Sequence, residues 1–200
     1  MSAVRRQRQA ERNGEAAGEA PAGRRVLRVV ETLLWVGVAV LFVARVAPQV
    51  RAAIGWPSGG GTAAPAVTFD MLDGRAVPLG SLKGQVVLVN FWATWCPPCR
   101  AEMPGIESVY EAKHASGFTV VGVSLDQKAP PAVAAFLHDH HIAYPVAMAT
   151  SEAVAAFGEV SSLPTSFLID RQGRVRYTVQ GMFAGPALRA AVDRLLAERS

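Results

Sequence analysis

Val86-Val87-Leu88-Val89-Asn90-Phe91-Trp92-Ala93-Thr94-Trp95-Cys96-Pro97-Pro98-Cys99 is the stretch that decides how this chain reads. Its first seven residues are an almost unbroken apolar run, the pattern of a strand buried on both faces. The run leads into two cysteines three positions apart, and the chain has 2 cysteines in all. A strand that ends by opening a helix presents the first thiol, Cys96, to free backbone N–H groups and to the positive end of the helix dipole. Both favour thiolate over thiol. Cys99 lies one turn further on, where it can close a disulfide. A bridge over so short a loop removes little chain entropy and stabilises little. The pair reads as a redox centre, with Cys96 as nucleophile and Cys99 as the resolving thiol.

Charge narrows the partners. The chain carries a formal +4 and a sequence pI near 9.5. Residues 1–28 hold seven Arg against three Glu, and residues 29–200 hold 13 basic against 13 acidic side chains. The whole excess sits in the N-terminal tail, so the rest has no basic footprint for phosphate and nucleic acid is excluded as a partner.

Residues 1–25, rich in Arg, Glu, Ala and Gly without apolar periodicity, read as a disordered cytoplasmic tail. Residues 26–47 read as a transmembrane signal anchor. Their strictly uncharged part, Thr32–Ala44, has 13 residues, but Arg28 and Glu31 lie one turn apart and can pair, while Arg45 can snorkel outward. Val29–Ala47 then gives about 28 Å of helix, close to a bilayer core. Two other readings stay open: a signal peptide cut after Ala52, and a buried helix of the folded domain. The Arg-rich flank keeps the N-terminus cytoplasmic and puts the remainder on the periplasmic or extracytoplasmic side of a single-pass membrane protein. Residues 48–66, with Ser58-Gly59-Gly60-Gly61 and Pro65, read as a flexible linker, and 67–200 as the folded domain.

Within that domain, Val67–Leu72 and Arg75–Leu79 flank an Asp73-Gly74 turn and predict a hairpin. A helix is expected from Pro98 to about His114, kinked at Pro104. A second buried strand follows from Phe118 to Leu125, then a helix over Pro131–His141, a short strand over Tyr144–Ala147 and a short helix near Ser151–Phe157. Thr165–Ile169 and Arg174–Val179 read as an antiparallel pair across Asp170–Gly173. Pro186–Arg199 is an amphipathic closing helix. This order implies an α/β fold, a mixed sheet with helices on both faces and the cysteines at the carboxyl end of a sheet strand. His138, His140 and His141 read as a solvated helix face, and His114 as a cation at a helix C-terminus.

The segment Asn90–Pro104, with Ser81–Val89 upstream and Leu163-Pro164-Thr165-Ser166-Phe167-Leu168-Ile169-Asp170 downstream, resembles the TlpA-like branch of thioredoxin-fold thiol–disulfide oxidoreductases. That branch includes membrane-anchored proteins of the ResA and DsbE type, and the likeness covers Pro65 to the C-terminus. It implies a thioredoxin fold with an N-terminal β-hairpin and a helix–strand insertion at residues 129–147. It places Pro164 on the family's cis-proline, which with Leu163 docks an extended client segment against the cysteines. Glu102 matches a Glu of the ResA-type site and takes or returns the Cys99 proton; an ordinary first-turn carboxylate is the open alternative. Asn90 stands where ordinary thioredoxins carry a buried Asp, and an Asn cannot titrate, which shifts proton handling toward Glu102. Trp95 reads as an apolar platform beside Cys96, or as a packed surface aromatic.

No cofactor is called for beyond the Cys96–Cys99 disulfide, and no metal. Pro97 and Pro98 offer the thiolate no donor, and the His of strongly oxidising relatives is absent, which leans toward a reductant. The expected clients are extracytoplasmic protein disulfides, for instance the haem-binding cysteines of apocytochrome c, with electrons from a membrane thiol relay and the bilayer held by the N-terminal helix. The alternatives are a disulfide-forming oxidant and a copper-delivery protein, the latter lacking an obvious third ligand. A peroxidase Thr-x-x-Cys pattern fails, because that position is Ala93.

Overall fold

The structure, a computed structural model, describes residues 31–38, 61–127, 129–158 and 160–198. Residues 31–38 are helical, and their Leu33, Leu34, Trp35, Val36 and Val38 are all exposed. The expected tail lies outside the described residues, as do most of the expected anchor and linker. Among the described residues no helix is long and apolar enough to cross a membrane.

From Gly61 the described chain forms β1 (Thr62–Ala63), β2 (Thr68–Met71), β3 (Ala76–Pro78), β4 (Val86–Trp92), α1 (Pro97–Lys113), β5 (Phe118–Ser124), α2 (Pro130–Asp139), β6 (Val146–Met148), α3 (Ser151–Ala156), β7 (Thr165–Ile169), β8 (Arg174–Gln180) and α4 (Gly185–Ala197). The strands make one mixed sheet in the order β1-β8-β7-β4-β5-β6-β2-β3. β4, β5 and β6 run parallel, and β7 lies antiparallel to β4 on its other side. β4 is thus central, which explains why all seven of its residues are buried.

Successive side chains of β4 point to opposite faces. Val86, Leu88 and Trp92 join a core with Cys99, Met103 and Ile106 of α1, Val133 and Leu137 of α2, and Leu188, Val192 and Leu195 of α4. Val87, Val89 and Phe91 meet Phe69, Phe167 and Ala153 of α3 on the other face. Helices therefore cover both faces, as the element order implies. Asn90 falls on the α1 face, the one polar residue of the strand.

The boundaries differ from the sequence reading in ways that have local causes. Helix α1 starts at Pro97 and continues past Pro104 to Lys113. Proline is well placed in a first helical turn, so the helix opens directly after Cys96. Helix α2 spans Pro130–Asp139, earlier than the expected 131–141, because His141 adopts a left-handed φ of 55°. Strand β6 starts at Val146 rather than Tyr144: Pro145 has no N–H to give the sheet, and its carbonyl accepts from Gly122 N–H instead. The sheet also begins within the stretch read as linker. Thr62 and Ala63 pair with Val175 and Arg174 of β8.

Candidate active site

Cys96 is the N-cap residue of α1, with extended backbone (φ −94°, ψ 105°). Pro97 and Pro98 follow it, and neither has an N–H. The first N–H the helix can offer is that of Cys99, and it donates to Cys96 Sγ at 3.3 Å. The sulfur thus sits at the helix N-terminus against that one free donor and the positive end of the helix dipole, a position that favours thiolate. Cys96 and Cys99 are joined as a disulfide, with Cα atoms 5.3 Å apart. Cys96 is 4% exposed and Cys99 not at all, so the first sulfur is the accessible one, narrowly.

The turn that delivers Cys96 is anchored from the neighbouring strand. Buried Asp126, just past β5, accepts from Thr94 N–H at 2.8 Å, from Thr94 Oγ1 at 2.6 Å and from Ser124 Oγ at 2.8 Å. Trp95, next in the chain, is 64% exposed. Trp95, Cys96, Pro97 and Pro98 line an open groove of about 460 Å³ with Leu125, Val160, Ser161, Ser162 and Leu163. Among the described residues no charged side chain lines it. Leu163 belongs to this groove, and the Leu163–Pro164 peptide is cis. The Pro164 carbonyl accepts from Gly181 N–H at 2.8 Å, tying this loop to the end of β8.

Glu102 is not in the groove. It lies buried on α1, one turn after Cys99, on the side facing the sheet. Its Oε1 accepts from Asn90 Nδ2 at 2.8 Å, and its Oε2 from Phe183 N–H at 2.8 Å. The other amide hydrogen of Asn90 goes to Ser166 Oγ at 2.9 Å, so β4 and β7 together orient the carboxyl group. Burial pushes Glu102 up from 4.5 to about 7, against the two hydrogen bonds, which favour the ionised form. A carboxyl group poised there exchanges protons near neutral pH.

The structure thus brings together five of the six residues singled out in the sequence around two layers. Trp95, Cys96 and Leu163 meet at the groove, and Cys99 and Glu102 lie beneath it; Pro164 adjoins through its cis bond. Sequence reasoning missed Asp126, Ser166 and Phe183. Asp126 had a signal, a carboxylate at the carboxyl end of a buried strand; Phe183 acts through its backbone and had none. His138, His140 and His141 are exposed, and among the described residues no group of three His, Cys, Asp or Glu is placed to hold a metal.

Fold and site together define a thioredoxin-fold protein of the thiol–disulfide oxidoreductase class, with its dithiol at the mouth of the first long helix. Residues 60–195 match the Redoxin family, and the chain belongs to it, as a protein of ResA/DsbE type. The thiol-disulfide oxidoreductase ResA of Bacillus anthracis is 36% identical over 115 residues, 58% of this chain and 66% of that protein. ResA of Bacillus subtilis is 35% identical over 121 residues, 60% of this chain and 67% of that protein. The chain therefore spans about two thirds of the length of these relatives. A crystal structure of a thiol:disulfide interchange protein of the thioredoxin family from Chlorobium tepidum superposes with a TM-score of 0.64 at 36% identity. It covers 70% of this chain and 99% of that one. A DsbF homologue from Corynebacterium diphtheriae gives a TM-score of 0.64 at 25% identity, over 70% and 91%.

Proposed function

We propose that this chain is a membrane-tethered thiol–disulfide oxidoreductase that reduces disulfides of extracytoplasmic proteins, apocytochrome c among them, and is itself re-reduced by a membrane thiol relay. The observation that carries the exchange chemistry is Cys96 Sγ held by the Cys99 N–H at the helix mouth, with a proton-exchanging carboxyl group one turn behind. In the reduced protein the Cys96 thiolate attacks one sulfur of a client disulfide. The client S–S bond breaks, a Cys96–client S–S bond forms, and the other client sulfur leaves as thiolate. Cys99 then gives its proton to Glu102 and attacks Cys96 Sγ. The Cys96–Cys99 bond closes and the second client thiolate departs, so the client gains the two electrons the dithiol loses. The largely apolar groove with Trp95 and Leu163, next to cis-Pro164, would seat the client segment, and the lack of charge among its described residues suits unfolded chains of varied sequence.

The reducing direction is supported by what surrounds Cys96: two prolines that offer no N–H and a single backbone donor. The membrane tether is supported by Leu33–Val38, a helical stretch apolar all round with its large side chains exposed. Trapping tests the exchange. Cys99→Ser should accumulate mixed disulfides through Cys96, whose partners name the clients, and Cys96→Ser should accumulate none. Equal yields from both variants sink the reading. The direction is read by equilibration with dithiol buffers: a reductant should show a potential below about −200 mV, whereas a value near −120 mV marks an oxidant.

A further inference from the structure

The underside of α1 carries polar groups that this exchange leaves unused. Asn90 Oδ1, Trp92 Nε1, Tyr144 Oη and Glu107 Oε1 are buried with no hydrogen-bond partner in the protein. Three of them converge. Asn90 and Trp92, two apart on β4, share the face that packs against α1. Gly122 of β5 pairs with Asn90, and its missing side chain leaves room for the Tyr144 ring and the Trp92 indole to meet over it. A Cβ there would lie 3.1 Å from Tyr144 Cε2 and 3.2 Å from Trp92 Nε1. The Tyr144 ring therefore crosses β5 toward Asn90, whose amide already holds Glu102. Glu107 fixes where that ring starts, its Oε2 accepting from the N–H groups of Ala143 and Tyr144 at 2.8 and 3.2 Å. Burial, then the charges of Glu102 and Glu107, hold the Tyr144 hydroxyl protonated.

An acceptor, a donor and a hydroxyl that does both, enclosed and lacking protein partners, are the surroundings that retain a buried water. We propose that Tyr144 and Trp92 are positioning residues for Glu102: with Asn90 they hold an enclosed water beneath the active-site helix that donates to the Glu102 carboxylate and accepts from the carboxylic acid. This rests on Glu102 serving the Cys99 proton, and it adds a donor that favours the ionised carboxylate which must take that proton. Asn90 of β4 and the Phe183 N–H ahead of α4 bond Glu102, and Tyr144, in the segment before β6, feels its charge and that of Glu107. No Lys or Arg is among the causes that move Glu102 or Tyr144.

The test is the pH profile of resolution, followed in the full-length protein as single-turnover release of a peptide from the Cys96 mixed disulfide. Glu102→Gln should lose the limb centred near 7. Tyr144→Phe keeps the ring and deletes the hydroxyl; loosening the water that donates to the carboxylate should move that limb up by about half a unit, roughly twofold slower at pH 7. Trp92→Phe should move it the same way. Carboxyl ¹³C titration of Glu102 in the oxidised protein should show the same upward shift without turnover, separating the effect from any general loss of activity. If both aromatic variants superimpose on the parent in both measurements while Glu102→Gln loses the limb, the positioning role is overturned and the exchange mechanism stands. If Glu102→Gln also superimposes, the proton role beneath it falls as well.

Discussion

Glu102 is a carboxyl group whose surroundings pull its proton affinity in opposite directions. Two N–H donors favour the ionised form, burial favours the neutral one, and burial wins, leaving the group at about 7 rather than 4.5. That outcome has a consequence for stability. Between those two pH values the folded protein binds a proton that the unfolded chain releases, so the unfolding free energy falls as pH rises through this window. The full loss is about 3 kcal/mol and levels off above pH 7. In Glu102→Gln that component should vanish, since a flipped Asn90 amide can present its unpartnered Oδ1 to the new side-chain NH₂. Urea unfolding of the oxidised parent and variant from pH 4.5 to 8 reads the difference; parallel curves would mean that burial does not dominate this carboxyl group. The position of Glu102, three residues after Cys99, was legible in the sequence. Its partners were not, because Phe183 lies 81 residues away and contributes only a backbone N–H.

Helix α1 carries Cys99 and Glu102 and is capped by Cys96, so what sets its depth against the sheet sets the spacing of these three groups. It touches α4 through a close approach of two glycines: a Cβ on Gly105 would meet Gly185 Cα at 3.3 Å, and the reverse contact is also 3.3 Å. Both neighbours are backbone and cannot swing aside. Gly105→Ala should therefore push the helices apart, destabilising by about 1–3 kcal/mol in thermal or denaturant unfolding. Because Phe183 lies two residues before α4, the same change should lengthen its hydrogen bond to Glu102 and raise the carboxyl titration midpoint. A variant as stable as the parent would show that the helices have slack at this crossing. The elements themselves were largely readable where an apolar pattern marked them: β4 and β5 as runs buried on both faces, α4 by its Leu188–Val192–Leu195 stripe. What escaped was set by distant pairing. Thr62–Ala63 has no pattern of its own and becomes a strand only because β8 offers an edge, and α2 ends early through the left-handed turn at His141.

A reductant working in an oxidising compartment faces a problem of supply, since each turnover leaves it as the spent disulfide. In the proposed arrangement, fastening the domain to the membrane that houses an electron donor would raise the local concentration of the pair to about millimolar, enough to make re-reduction fast without tight binding. The charge distribution of the chain agrees with such an arrangement: all of the net +4 lies in residues 1–28, ahead of the apolar stretch, and the remainder is neutral. A near-neutral domain, whose groove is lined by no charged side chain among the described residues, would find its partners without electrostatic steering, so its exchange rate should depend little on salt. The tether makes a prediction that separates it from a cleaved leader. Expressed in a bacterial host, the uncut chain should fractionate with membranes at its full 21.2 kDa and resist carbonate extraction. Protease added to spheroplasts should then remove the domain while leaving the Arg-rich N-terminus protected inside. A shorter soluble product beginning near Ala53 would instead establish cleavage, and protection of the domain in intact spheroplasts would place it on the cytoplasmic side and overturn the extracytoplasmic assignment.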